Sequence, residues 1–146
     1  MKNEEQFKTY IGVDLGDRKH HICVTDKDGE VLAEKKIENN REDLAALAND
    51  YPRATLALEV GTHSPWISRY LSALGLEVVV ANPRKVKYIT ENIRKSDKRD
   101  AQILARFVRV DPGLLCPIKH RSEESQRALL VIKMRDTLTR LRVSTS

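Results

Sequence analysis

TYIGVDLGDRKHHICVTDKDGEVLAEKKI, residues 9–37, decides the fold of this chain. Over residues 9–15 the apolar Ile11, Val13 and Leu15 alternate with Gly12, Asp14 and Gly16, the period-two pattern of a half-buried strand. Residues 21–25 and 30–37 repeat strand composition. Asp26-Lys27-Asp28-Gly29 lies between them and ends in an Asp-Gly step, a strong hairpin signal. The stretch predicts a three-stranded meander, with Asp14 flanked by glycines near the end of its first strand.

Asn40 is placed to cap a helix carrying Leu44, Leu47 and Tyr51 on one face, which Pro52 ends. A strand is expected over residues 54–60, where Leu56, Leu58 and Val60 alternate with Thr55, Ala57 and Glu59. Ser64 as N-cap, Pro65 in the first turn and Gly75 as terminator predict a helix over residues 65–74 that buries Trp66, Ile67, Tyr70, Leu71 and Leu74. The apolar run 76–81 reads as a strand buried on both faces. Asn82-Pro83 opens a basic helix with Val86, Ile89 and Ile93 inward. A further helix begins at Ser96 or Asp97 and runs to about Arg109, with Ala101, Leu104, Phe107 and Val108 on its apolar side, and Asp111-Pro112-Gly113 stops it. From Ser122 onward, Leu130, Met134, Thr137 and Leu141 fall on a coiled-coil seam that is cut short. Meander, helix, strand, helix, strand and helices make an α/β order with a mixed sheet, which is also the order of the RNase H-like fold. The expected organisation is an RNase H-like domain over residues 8–110, a connecting loop at 111–121 and the start of a coiled-coil helix at 122–146.

The chain has 146 residues, 40% of them hydrophobic, enough for the core of a single domain. No apolar run approaches the roughly 20 residues that span a bilayer, and the first ten residues hold no apolar stretch, so a soluble, cytoplasmic protein without membrane association is expected. Cys23 and Cys116 lie far apart without a CxxC partner and are read as ordinary buried thiols. The net charge of +5 is unevenly spread: residues 84–109 hold nine Lys or Arg against three acids, leaving the rest slightly acidic. A basic stretch of this kind suits a polyphosphate partner, because phosphate contacts release counterions, although a solvated helix face is the commoner origin of such clusters. Arg84, Lys85, Lys87, Arg94, Lys95, Lys98 and Arg99 are the candidate nucleic-acid contacts.

Phosphoryl transfer assisted by divalent ions needs several carboxylates to converge, because Mg²⁺ takes oxygen ligands in near-octahedral geometry. Asp14 and Glu59 each fall near the end of a strand on its less apolar face. Asp97 and Asp100, three apart, share one side of a helix. Each acid has a plainer reading: Asp14 starts a turn, and Asp97 with Asp100 forms a capping arrangement. Glu59 is harder to dismiss, since a carboxylate among Leu56, Leu58 and Val60 is costly unless paired or metal-bound. Together, with Lys95, Lys98 and Arg99 adjacent, the four favour a metal site. His20, His21, His63 and His120 lack metal-ligand spacing and receive no role. Ser64 lacks a nucleophile context and is explained as a cap.

YIGVDLGDRKHHICVTDKDG, ALEVGTHSPWISRYL and VVVANPRKVKYITENIRKSDKRDAQILARF resemble the N-terminal DEDD domain of the IS110 insertion-sequence transposases, whose relatives include the Piv invertases. The resemblance covers residues 10–107, and its most specific block is the K-[ST]-D-x-x-D-A motif after an N-P-x-x-[VI] element. It implies a RuvC-like fold, with the four family acids falling on Asp14, Glu59, Asp97 and Asp100 and binding Mg²⁺, with Mn²⁺ as an alternative. It also implies a dimer or tetramer, here formed through the C-terminal helix, and guidance by a structured RNA that pairs with DNA. In the family a C-terminal domain supplies a serine nucleophile, and this sequence stops before it. Three rivals stand beside this reading. They are a stand-alone RuvC-like nuclease, a non-catalytic nucleic-acid-binding and dimerisation module, and, ranked last, an ATPase half suggested by IGVDLG, for which no second phosphate loop follows.

Overall fold

The computed structural model describes residues 8–83 and 97–120, leaving out the side chains of residues 97–99. Its elements are β1 (Tyr10–Asp14), β2 (Lys19–Thr25), β3 (Val31–Glu38), α1 (Arg41–Asp50), β4 (Thr55–Glu59), α2 (Ser64–Ala73), β5 (Glu77–Ala81), α3 (Asp97–Val110) and a 3₁₀ turn (Pro112–Leu115). The strands form one sheet in the order β3-β2-β1-β4-β5. β2 is antiparallel to both β1 and β3, whereas β1, β4 and β5 run parallel. The meander and the mixed sheet stand as the alternation implied. The basic helix expected after Pro83 and the coiled-coil helix from Ser122 lie outside the described residues.

The two faces of the sheet bury different things. Ile11, Val13, Ile22, Val24, Leu56, Leu58 and Val80 pack with Leu44 and Leu47 of α1 and with Ile67 and Leu71 of α2. The other face is shallower. There Ala57, Val79 and Ala81 meet Leu104, Val108 and Leu115, and Cys23 meets Ala101 and Ala105. The small residues on this second face let α3 lie directly on the sheet. At Gly12 an added Cβ would stand 1.8 Å from the Ala101 carbonyl oxygen and 2.6 Å from the Ala105 nitrogen, so backbone touches backbone.

The direction of α3 follows from its two ends. Near its C-terminus, Arg109 Nη1 donates to the Lys27 carbonyl at 3.1 Å, and the guanidinium lies against Gly29 in the β2–β3 hairpin. That hairpin adjoins the start of β1, since Tyr10 pairs with Thr25. With Ala101 at Gly12 and Arg109 at the hairpin, α3 runs antiparallel to β1, and its first turn lies toward the Asp14 end.

Local signals behave as their chemistry requires, with exceptions. Asn40 Oδ1 accepts from the Asp43 amide at 2.7 Å and caps α1. Asp26 Oδ1 accepts from the Asp28 and Glu30 amides and closes the hairpin. Ser64 is not the cap of α2. It is the first helical residue, and its hydroxyl donates to the Gly61 carbonyl and accepts from the Gly61 amide, so it ties the turn before the helix instead. Leu74, expected inside, is 43% exposed because it follows the last turn of α2, and Trp66 and Tyr70 are only partly buried. β5 is buried on both faces as expected, with Val80 in one core and Val79 and Ala81 in the other, although it lies at the edge of the sheet. Its outer side is partly taken up by the Ile118 amide, which donates to the Val80 carbonyl. Cys23 is buried, but Cys116 is exposed at the end of the 3₁₀ turn.

Gly12→Ala is expected to cost about 3 kcal/mol or more in urea denaturation, because the methyl group meets backbone and not a side chain that can move. A loss within about 0.5 kcal/mol, the size of an ordinary surface substitution, would show that α3 is not seated at Gly12.

Candidate metal centre

The ladder between β1 and β4 fixes the relation of the first two acids. Tyr10 pairs with Thr55 and Val13 with Leu58, so one further step sets Asp14 beside Glu59 at the carboxyl ends of adjacent parallel strands. Both are half-buried, and both belong to the α3 side, two residues on from Gly12 and Ala57 respectively. Parallel strands with this register cannot separate the pair without slipping, and a one-residue slip would turn every side chain over.

The other two acids come from the first turn of α3, which the direction of the helix carries toward the same end of β1. Asp97 is its first residue, with a side chain outside the described set, and Asp100 is half-buried immediately before Ala101. Among the described residues, no three His, Cys, Asp or Glu side chains gather closely enough to hold a metal ion. The structure therefore brings Asp14 and Glu59 together and sets the α3 terminus toward them. Of the basic candidates, residues 84–96 lie outside the described residues, as do the side chains of Lys98 and Arg99.

The turn that follows Asp14 is held from below by a histidine to which the sequence reading gave no role. His20 is fully buried. Its Nδ1 accepts from the Gly16 amide at 3.1 Å, and its Nε2 lies 3.0 Å from Asn39 Oδ1. These partners require the neutral ring with the proton on Nε2. Asn39 in turn donates to the Asp17 carbonyl at 2.9 Å. Burial pushes the His20 pKa below the ordinary 6.5, the Asn39 hydrogen bond opposes this, and His63 adds to it. Gly16 is held tightly, since an added Cβ would lie 2.3 Å from the Lys19 carbonyl oxygen. The signal was present in the period-two pattern, which puts His20 on the same face as Ile22 and Val24, where an imidazole needs partners on both nitrogens.

A second histidine links the two loops that follow the strand acids. Trp66 Nε1 donates to His63 Nδ1 at 3.2 Å, leaving His63 Nε2 3.4 Å from Asp17 Oδ1 across the gap between the β4–α2 and β1–β2 turns. Asp17 is almost fully exposed, so this is a weak tether. His120, at the far end of the described chain, also has a lowered pKa, from burial first and from Arg69 second.

A mixed five-stranded sheet with one face roofed by a helix, and acids at the ends of adjacent strands beneath that helix's first turn, defines an RNase H-like domain of the RuvC type. The structure of RuvC from Thermus thermophilus superposes with a TM-score of 0.50 at 14% identity, covering 70% of this chain and 96% of that one. The family model for DEDD transposases of the IS110 type, described as transposase, matches residues 11–146, and the chain belongs to that family. Two relatives agree. The protein y4uE of Sinorhizobium fredii, named as a transposase, is 28% identical over 121 residues, covering 74% of this chain and 33% of its own length. The transposase for insertion sequence element IS1533 of Leptospira borgpetersenii is 29% identical over 107 residues, covering 70% and 31%. The chain thus spans about a third of the length of these curated relatives. No helix among the described residues is long and apolar enough to cross a membrane.

The lowered pKa of His20 sets a pH dependence. The folded chain binds this proton less readily than the unfolded one, so the neutral ring's contribution is complete above about pH 6.5 and is lost as the pH falls below it. Between about pH 7 and pH 5.5, the unfolding free energy of the wild-type chain from urea denaturation should fall more steeply than that of His20→Gln, with a difference in slope of at most about 1.4 kcal/mol per pH unit. Parallel curves would mean that His20 titrates alike in both states.

Proposed function

We propose that this chain is the metal-binding catalytic domain of an insertion-sequence transposase that acts on DNA phosphodiesters. Its ligands are Asp14, Glu59, Asp97 and Asp100, and its ion is Mg²⁺ or, in its place, Mn²⁺. The observation that carries the reading is the register that sets Asp14 beside Glu59 at the end of the sheet toward which α3 directs its first turn. The donor set fits the ion: every candidate is a carboxylate, the hard oxygen ligand that Mg²⁺ prefers over imidazole or thiolate. When bound, such an ion polarises a phosphoryl oxygen and neutralises charge that develops on it.

The chain's own residues do the rest. β1 and β4 hold two carboxylates rigidly, because Asp14 lies in the ladder with β2 and Glu59 in the ladder with β5. His20 and Gly16 fix the turn after Asp14, so that its carboxylate is presented in one orientation. α3 brings the remaining pair on a single helical turn. Carboxylates drawn together in this way repel one another, which makes the cluster a poor resting state without a cation and a strong attractor for one.

In this reading the whole protein is a recombinase. The domain joins a serine-bearing C-terminal domain, assembles as a dimer or tetramer through residues 122–146, and takes a structured guide RNA together with DNA. The basic residues Arg84, Lys85, Lys87, Arg94, Lys95, Lys98 and Arg99 contact nucleic-acid backbone. Membership of the transposase family supports the reading, as does the pattern of charge in the sequence. The 146 residues by themselves are expected to bind metal.

Titration calorimetry with Mg²⁺ and with Mn²⁺ tests the site directly. The wild-type chain should bind, and Asp14→Asn, Glu59→Gln and the double Asp97→Asn, Asp100→Asn variant should each lose most of the binding while keeping their far-UV circular dichroism. Binding that is absent in the wild type, or indifferent to these changes, would leave the acids as turn and cap residues. A non-catalytic nucleic-acid-binding module would then be the better description.

A further inference from the structure

The row that contains the acids continues past Asp14. In the ladders Asp14 faces His21 and His21 faces Lys36, so one line of residues on the α3 side of the sheet reads Glu59, Asp14, His21, Lys36 from β4 out to β3. α3 roofs β1, β2 and β4. Beyond that roof two clefts adjoin, sharing His21 and Lys36. One, of about 270 Å³, runs against Asp14, Gly16 and Lys19, and the other, of about 360 Å³, runs against Glu34 and Ala101. Together they make a trough that starts at Asp14 and leaves the sheet over β3.

The charges along the trough are not equivalent. The Lys19 ammonium is 3.6 Å from Glu38, and that of Lys35, next in sequence to Lys36, is 3.9 Å from Asp50 of α1. Glu34 receives a hydrogen bond from Gln102 of α3. Lys36 is exposed and lines both clefts, and its side chain makes no ion pair or hydrogen bond among the described residues. With strands spaced about 4.8 Å apart, its Cα lies about 10 Å from that of Asp14. That separation suits a phosphate neighbouring the one that reacts, not the reacting one itself.

We infer that this trough seats the sugar–phosphate backbone of the DNA strand being cut, with Lys36 holding a phosphate beside the one presented to the acids. The inference rests on the reading of the four carboxylates as a phosphodiester-acting site and adds the path by which the strand reaches it. An acidic cluster repels a polyanion, so a strand enters only where a cation outside the cluster offsets that repulsion, and Lys36 is the cation that the sheet register provides. A lysine is suited to the task because it holds phosphate as a point charge on a flexible stem.

The test is fluorescence anisotropy of the full 146-residue chain with a fluorescein-labelled single-stranded DNA, across a salt series and in EDTA. Omitting metal makes the result independent of whether the acids bind an ion, so failure here and failure of the metal calorimetry are separate outcomes. Lys36→Gln should weaken binding roughly three-fold at about 50 mM salt and lower the slope of log K against log salt by about 0.7, the value of one phosphate contact on a single strand. Lys36→Arg should restore both, Lys27→Gln at the distant hairpin should change neither, and the thermal midpoint should stay put, since the side chain is exposed. A wild-type slope in Lys36→Gln, or no binding of DNA by the wild type, overturns the inference. So does an effect confined to an RNA of the same sequence, which would assign the trough to an RNA strand.

Discussion

Everything on the functional face depends on how closely α3 approaches β1. A helix ordinarily stands off a sheet by the thickness of two layers of side chains. Here the layer is absent at Gly12 and thin at Cys23 and Ala57, and Ala101 and Ala105 answer with small residues from the helix. The result is direct backbone contact, which fixes the height of the helix above the strand as well as its position along it. Arg109 anchors the opposite end at the hairpin and sets the direction. A carboxylate has a short side chain, so strand and helix acids can address one ion only if their backbones are already this near. The packing of small residues is therefore the precondition for the proposed chemistry.

Much of this was legible beforehand, for reasons specific to each element. The alternation in residues 9–15 is clean because one face of β1 is filled by Ile11 and Val13 while the other must be bare for the helix. The Asp-Gly hairpin and the Asn40 cap are local chemistry, settled within a few residues, and local chemistry reads well from sequence. Ser64 misled because a serine before a proline has two partners within reach. Its hydroxyl was taken by Gly61, a choice decided by the turn before the helix. Leu74 misled because helical periodicity does not show that the helix stops at Ala73, one residue before it. Cys116 misled because composition says nothing of a residue held at the end of a short 3₁₀ turn.

The site was only half legible. That Asp14 and Glu59 stand side by side depends on which strands are neighbours and in what register, a non-local fact that topology suggests and hydrogen bonds decide. The spacing of Asp97 and Asp100 is local and was read directly. The supporting histidine escaped because spacing rules search for ligands, whereas His20 acts by filling two hydrogen bonds in the core beneath the turn. Lys36, the proposed phosphate contact, escaped because its relation to Asp14 crosses two strands and no motif spans them.

The register of β1 on β4 also divides the sequence into regions with different tolerance for insertion and deletion. Between the two strand acids lie the β1–β2 turn, held by His20, the hairpin that receives Arg109, and α1, and length there can change only where those contacts are kept and the strands still meet. Inside β1 or β4 the rule is one of parity. Adding a single residue ahead of the acid sends its carboxylate to the face that holds Leu44 and Ile67, where it would be buried among side chains that offer it no partner. Selection on such a domain would thus permit drift in the lengths of loops that make no such contact while holding the strands in phase, residue by residue.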